Sequence, residues 1–109
     1  MFQLGLRLRA RPQQVAGVVQ ALRYIVIAAQ TERGFLASRI YQDLGDSRMI
    51  CLEEDWSSEP LLQSHLRSSC FTDLLMLMET CPEAPTLEVR VVREIYGLEY
   101  VEEVRFGKA

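Results

Sequence analysis

Residues 2–9, FQLGLRLR, alternate in polarity one by one. Phe2, Leu4, Leu6 and Leu8 fall on one side of an extended chain, and Gln3, Gly5, Arg7 and Arg9 on the other. A period of two is a strand with one buried face, and that face requires a second layer. The next segment offers one. Pro12 suits a first helical position. Val15, Val18, Val19, Leu22, Ile25, Val26 and Ala29 then recur at helical spacing, which predicts a helix to about Glu32. Gly34 is its stop signal.

The rest of the chain repeats the pattern. GFLASRIYQD (Gly34–Asp43) and RMICLEEDW (Arg48–Trp56) read as two strands joined by the turn LGDS, an antiparallel hairpin. Ser57 or Ser58 can cap the following helix, with Glu59 and Pro60 in its first turn. Ser68–Ser69 can break and recap it, and Phe71, Leu74, Leu75 and Met78 continue the stripe to Cys81–Pro82. Thr86–Tyr96 reads as a fourth strand and Leu98–Phe106 as a fifth.

The order β-α-β-β-α-β plus a tail strand predicts a single ferredoxin-like α+β domain over residues 1–109, with two helices on one sheet face. The second and third strands look apolar on both sides: Leu36 and Ile40 against Phe35 and Tyr41, Ile50 and Leu52 against Met49 and Cys51. A second copy is the expected cover for the far face, and the tail strand could cross to it. The result would be a homodimer.

Composition narrows the function classes. With 25% charged residues, a net charge of −3 and scattered arginines, no nucleic-acid partner is expected. Three cysteines without a CxxC, and a single histidine, predict neither a disulfide framework nor a metal centre. No basic segment leads into an apolar one at the start, and YIVIAA is too short to span a bilayer, so the expectation is a cytoplasmic protein without a membrane partner.

The stretch CLEEDWSSEPLLQSHLRSSCFTDLL (Cys51–Leu75) resembles the antibiotic biosynthesis monooxygenase domain family. The shared pattern is a strand ending in Glu-x-Trp, a short helix carrying His, and a second segment bearing Phe: Glu54, Trp56, His65 and Phe71. GFLASRIYQD resembles the family's second strand. The resemblance implies a dimeric α+β barrel, with a pocket between sheet and helices in each subunit. Several members of the family oxidise polycyclic phenols or quinols with O₂ and no metal or flavin, and others degrade haem or break down signalling molecules; oxidation of a small aromatic phenol or quinol without a cofactor is the leading expectation. This chain departs from the family at one residue type, because it contains no Asn. Oxidising members of the polyketide type use an Asn shortly before the Trp, where this chain has Leu52, and haem-degrading relatives use one on the first strand. Haem degradation by that route is therefore not expected.

Within this frame Trp56 and His65 are the candidate catalytic residues. Glu54, Tyr41, Leu52, Leu62 and Phe71 are the candidates for lining the substrate, and none is assigned to a cofactor or metal. Trp56 offers an indole N–H to an anionic oxygen, or a large plug at the strand–helix junction. His65 offers a base near neutrality, or a local tie between helix and sheet. Glu54 offers a buried proton acceptor, or an ion pair with Arg39 across the hairpin. The competing expectation is a non-catalytic ligand-binding or structural dimer of the same fold. A cavity reaching Trp56 with two convergent polar groups would mark the enzyme, and a filled, wholly apolar interior its alternative.

Overall fold

The computed structural model describes residues 1–107. The strands are β1 (Phe2–Arg9), β2 (Phe35–Asp43), β3 (Asp46–Trp56) and β4 (Thr86–Val91). The helices are α1 (Val15–Ala29), α2 (Glu59–Leu66), α3 (Ser69–Glu79) and α4 (Leu98–Phe106), and a 3-10 turn at Pro12–Gln14 leads into α1. The sheet order is β2-β3-β1-β4, antiparallel throughout, which is the ferredoxin-like α+β arrangement. The buried stripe Val18, Leu22, Ile25, Val26 and Ala29 of α1 and Cys70, Phe71 and Leu74 of α3 cover Leu4, Leu6, Leu8, Ile50, Leu52 and Trp56. No helix of the described residues is long and apolar enough to cross a membrane.

The two faces of the hairpin differ from the expectation. Between Phe35 and Ala37 the pairing with β3 slips by one residue. A bulge of this kind reverses the parity of everything before it. Phe35 therefore sits opposite Trp56 and meets it edge to face (centroids 5.7 Å apart), while Leu36 turns to solvent. Ile40 pairs with Leu52 on the core side, and Tyr41 with Cys51 on the outer side.

That outer side is charged, not apolar. Arg39 bonds Glu53 at 3.1 Å and Asp55 at 2.9 Å, Arg90 bonds Gln3 at 2.8 Å and lies 3.5 Å from Glu53, and Gln3 also donates to Asp55 at 3.0 Å. Burial pushes the Asp55 carboxyl up, but the Arg39 and Gln3 bonds outweigh it and hold it below the usual range. Arg39 is thus taken by Glu53 and Asp55, and the expected Arg39–Glu54 pair does not form, because Glu54 points to the other face. The apolar-face argument for a second copy fails on this side of the sheet.

A different apolar surface lies open. Leu87, Val89 and Val91 of β4 pair with Leu6, Leu4 and Phe2 on the core side, yet stay 38–60% exposed. β4 is also shorter than expected, its ladder with β1 running out at the Met1–Val92 pair. The predicted fifth strand is a helix instead. Gly97 caps α4, and Gly107, with φ +70°, closes it in the left-handed conformation that favours glycine. Leu98, Val101 and Val104 recur at i, i+3 and i+6, a helical spacing concealed by the alternation of Leu98 and Tyr100. All of α4 is exposed, and it stands off the sheet. The radius of gyration accordingly reaches 16.4 Å, against about 13 Å for a compact chain of this size.

Candidate functional site

Glu54 and Trp56 occupy the last two core-facing positions of β3. A cap at Ser58 starts α2 almost at once, and this short link folds the helix back over the strand end. His65 comes to lie on Trp56, its ring stacked on the indole at 4.3 Å and 24°. Ser68 holds the break between α2 and α3: its hydroxyl donates to the His65 carbonyl at 2.6 Å and accepts from the Phe71 amide at 3.2 Å. Phe71 then meets the His65 ring edge-on at 5.8 Å.

The third approach comes from the α1–β2 turn. Gly34 has φ +88°, and a Cβ there would lie 2.5 Å from Leu61 Cβ. Only glycine allows the turn this close to α2. Ser57 N–H donates to the Gly34 carbonyl at 2.9 Å and ties the two together. Glu32, two residues earlier, thereby reaches the buried imidazole.

His65 is therefore held between two carboxylates. Nδ1 lies 2.9 Å from Glu32 Oε2, and Nε2 lies 3.1 Å from Glu54 Oε1. The second contact is close enough for an ion pair but misaligned for a hydrogen bond. Nε2, both Glu54 oxygens and Trp56 Nε1 have no hydrogen-bond partner among the described residues. All three residues are at most 1% exposed. Burial lowers the His65 pKa, but the close carboxylates of Glu54 and then Glu32 outweigh it, and the net direction is upward. The imidazolium form is thereby favoured. Next to it, Cys70 Sγ donates to the Ile25 carbonyl at 3.2 Å, and burial, followed by the nearby Glu32, Glu54 and Asp73, pushes this thiol up to about 11.

Of the residues expected at a site, Trp56, His65, Glu54 and Phe71 come together, with Leu62 buried in the same core. Tyr41 does not join them. It sits on the outer sheet face, beside a groove of about 390 Å³ whose lining includes Leu52, Glu53, Arg7 and Arg90. A second cleft of about 460 Å³ lies between α1 and α3, lined by Tyr24, Ile25, Asp73 and Met76. Neither is lined by Trp56 or His65. The interior there carries the buried polar groups of Glu54, Trp56 and His65. Sequence reasoning missed Glu32 and Cys70. Glu32 read as a polar helix end and Cys70 as a buried thiol, and no local spacing links either to His65.

The geometry has relatives. The family model for antibiotic biosynthesis monooxygenases matches residues 1–75. No curated protein matches the chain in sequence. Among solved structures, a Deinococcus radiodurans protein assigned to the antibiotic biosynthesis monooxygenases is similar with TM-score 0.81 and 19% identity, over 89% of this chain and 97% of that one. A conserved Methanosarcina mazei protein gives 0.77 and 18%, over 84% and 92%. Another structure described as an antibiotic biosynthesis monooxygenase gives 0.74 and 18%, over 86% and 100%. At these identities the structural likeness speaks for the fold, and the family match carries the membership. This chain, with a Glu-x-Trp strand end under a histidine-bearing helix, belongs to the antibiotic biosynthesis monooxygenase family.

Proposed function

We propose that the protein is a small monooxygenase that needs no cofactor and oxidises an aromatic phenol or quinol with O₂. The observation that supports this reading is the convergence of four buried polar atoms without a hydrogen-bond partner among the described residues: Glu54 Oε1 and Oε2, His65 Nε2 and Trp56 Nε1. An unsatisfied buried polar group costs about 1–3 kcal/mol, which a fold does not accumulate at one spot without use. In this reading Glu54 accepts the phenolic proton. The His65 imidazolium and the Trp56 indole N–H then hold the phenolate, while the indole and Phe71 form the flat wall. The electron-rich ring reduces O₂. One oxygen atom enters the ring as a carbonyl in place of two hydrogens, and the other leaves as water. Entry to this closed group requires α2 to move. It is an eight-residue helix whose cap, Ser58, makes no side-chain hydrogen bond.

Oxygen uptake by metal-stripped protein against anthrones, naphthols and quinols tests the reading. Uptake is expected for at least one class, and Trp56→Phe is expected to abolish it while leaving the circular dichroism unchanged. Uptake that survives Trp56→Phe removes the role of the indole N–H. The closed interior and the missing Asn favour a second reading, a non-catalytic ligand-binding or structural dimer, and no uptake across the panel would select it.

The proposal includes a cytoplasmic homodimer, on new grounds. An isolated nine-residue helix is unstable in water, and α4 buries none of its residues against the other described residues, while Leu87, Val89 and Val91 lie uncovered. Packing α4 of one copy onto β4 of the other would satisfy both surfaces. Truncation after Tyr96 is then expected to shift sedimentation from dimer to monomer. A profile identical to that of the full chain would reject the exchange.

A further inference from the structure

We infer that Glu32, His65 and Cys70 form a binding site for a divalent metal of zinc type. Their ligand atoms, one carboxylate oxygen, one ring nitrogen and one sulfur, all lie within 4.8 Å of one another. They come from three separate elements, the α1–β2 turn, α2 and α3, so no spacing in the sequence announces them. The donor set of nitrogen, sulfur and oxygen suits a borderline-soft ion such as Zn²⁺.

The surroundings match what such a site requires. A metal-bound histidine is usually held by a carboxylate on its other ring nitrogen, which fixes the tautomer. Glu54, fully buried and without a hydrogen-bond partner among the described residues, stands 3.1 Å from His65 Nε2. With Nε2 facing Glu54, Nδ1 faces Glu32 at 2.9 Å. In the neutral ring that carries its proton on Nε2, Nδ1 and the Glu32 oxygen oppose each other with lone pairs. A proton bridges Nδ1 and Glu32 in the hydrogen bond seen here, and a metal ion can replace that proton once Cys70 Sγ turns from the Ile25 carbonyl. Glu32 is the least buried member of the group, its side chain 23% exposed, and gives the ion a way in.

Binding exchanges one cation for two protons: the one shared by Nδ1 and Glu32, and the thiol proton of Cys70. The charged groups around the thiol, Glu32, Glu54 and Asp73, oppose the bare thiolate but favour a dication. Affinity is therefore expected to rise with pH. The ion would also occupy the position of the His65 proton, so Zn²⁺ is expected to inhibit any activity that uses it. The inference rests on donor geometry and stands apart from the monooxygenase reading, since its test needs no substrate.

The test is titration of the full-length protein with Co²⁺, a spectroscopic stand-in for Zn²⁺. One equivalent is expected to give visible bands of tetrahedral cobalt and a near-ultraviolet thiolate band, both erased by Zn²⁺. The thiolate band is expected to vanish in Cys70→Ser and to persist in Cys51→Ser and Cys81→Ser. Glu54→Gln is expected to weaken binding about 10- to 100-fold, as loss of a supporting carboxylate does. Glu32→Gln, at the least buried edge of the group, is expected to weaken it at least as much, and it keeps the test readable if Cys70→Ser does not fold. Absence of the thiolate band at stoichiometric Co²⁺ would overturn the site. So would its survival in Cys70→Ser, or unchanged affinity in Glu32→Gln.

Discussion

Trp56→Ala will destabilise the protein by about 3–5 kcal/mol, the range for an aromatic deleted from a core. Trp56 is fully buried and touches two aromatic rings at once. Its indole stacks on His65, meets Phe35 edge to face and ends the core-facing row of β3. Deletion opens a void that the neighbours cannot close. Phe35 is fixed by the bulge, and His65 is tethered on both ring nitrogens by carboxylates. Trp56→Phe keeps a flat ring and most of the volume and will lose far less. Urea denaturation of the two variants checks this. Equal midpoints would mean that the indole is not part of the packed interior.

The second large effect concerns charge. His65→Leu removes the one cationic group that faces buried Glu54 among the described residues. Breaking a buried pair from one side costs about 3–5 kcal/mol, whereas removing both members often costs little. His65→Leu combined with Glu54→Leu is therefore expected to be more stable than His65→Leu alone. Strictly additive losses in the double-mutant cycle would show that the two side chains do not interact.

The same pair sets the direction of the pH dependence. The folded-state pKa of His65 is raised above its ordinary value of 6.5. Burial acts against this rise, and the Glu54 and Glu32 contacts overcome it. A raised pKa means that the folded state binds the proton more tightly than the unfolded one. The stabilisation is thus complete below pH 6.5 and is lost as pH rises through the raised value. Unfolding midpoints of the wild type should fall over that alkaline interval, and those of the double Leu variant should stay level. A wild-type profile as flat as that of the variant would remove the imidazolium from the folded state.

Where local pattern and global packing agree, the sequence is readable. β1 alternates cleanly because one of its faces meets α1 and α3 and the other does not. The apolar stripe of α1 and the Ser68 recapping of α3 are equally local, since helix geometry converts spacing directly into a face. The order of elements then leaves few topologies, and the ferredoxin-like sheet is one of them.

The misread elements share a physical cause: each depends on partners distant in sequence. One bulge at Leu36 reverses the parity of the start of β2, and no residue there signals it. Arg39 stands opposite Glu53, with Glu54 the next residue along β3, and only the direction of the pleat gives it to Glu53 and Asp55. The tail alternates for its first residues, yet with no adjacent strand to supply hydrogen bonds it closes its own as α4.

The candidate site divides along the same line. Glu54, Trp56, His65 and Phe71 were legible because one strand end and one short helix bring them together. Glu32 was not, because its place beside His65 follows from Gly34 letting a turn approach Leu61 more closely than any side chain allows. Cys70 was not, because what surrounds a thiol is unknown until two helices are packed. The sequence by itself determined the four strands that form the sheet, the first three helices and the residues at the end of β3. Tertiary structure alone decided which carboxylates face the one histidine, since opposite charges buried from water must find each other whatever their distance along the chain.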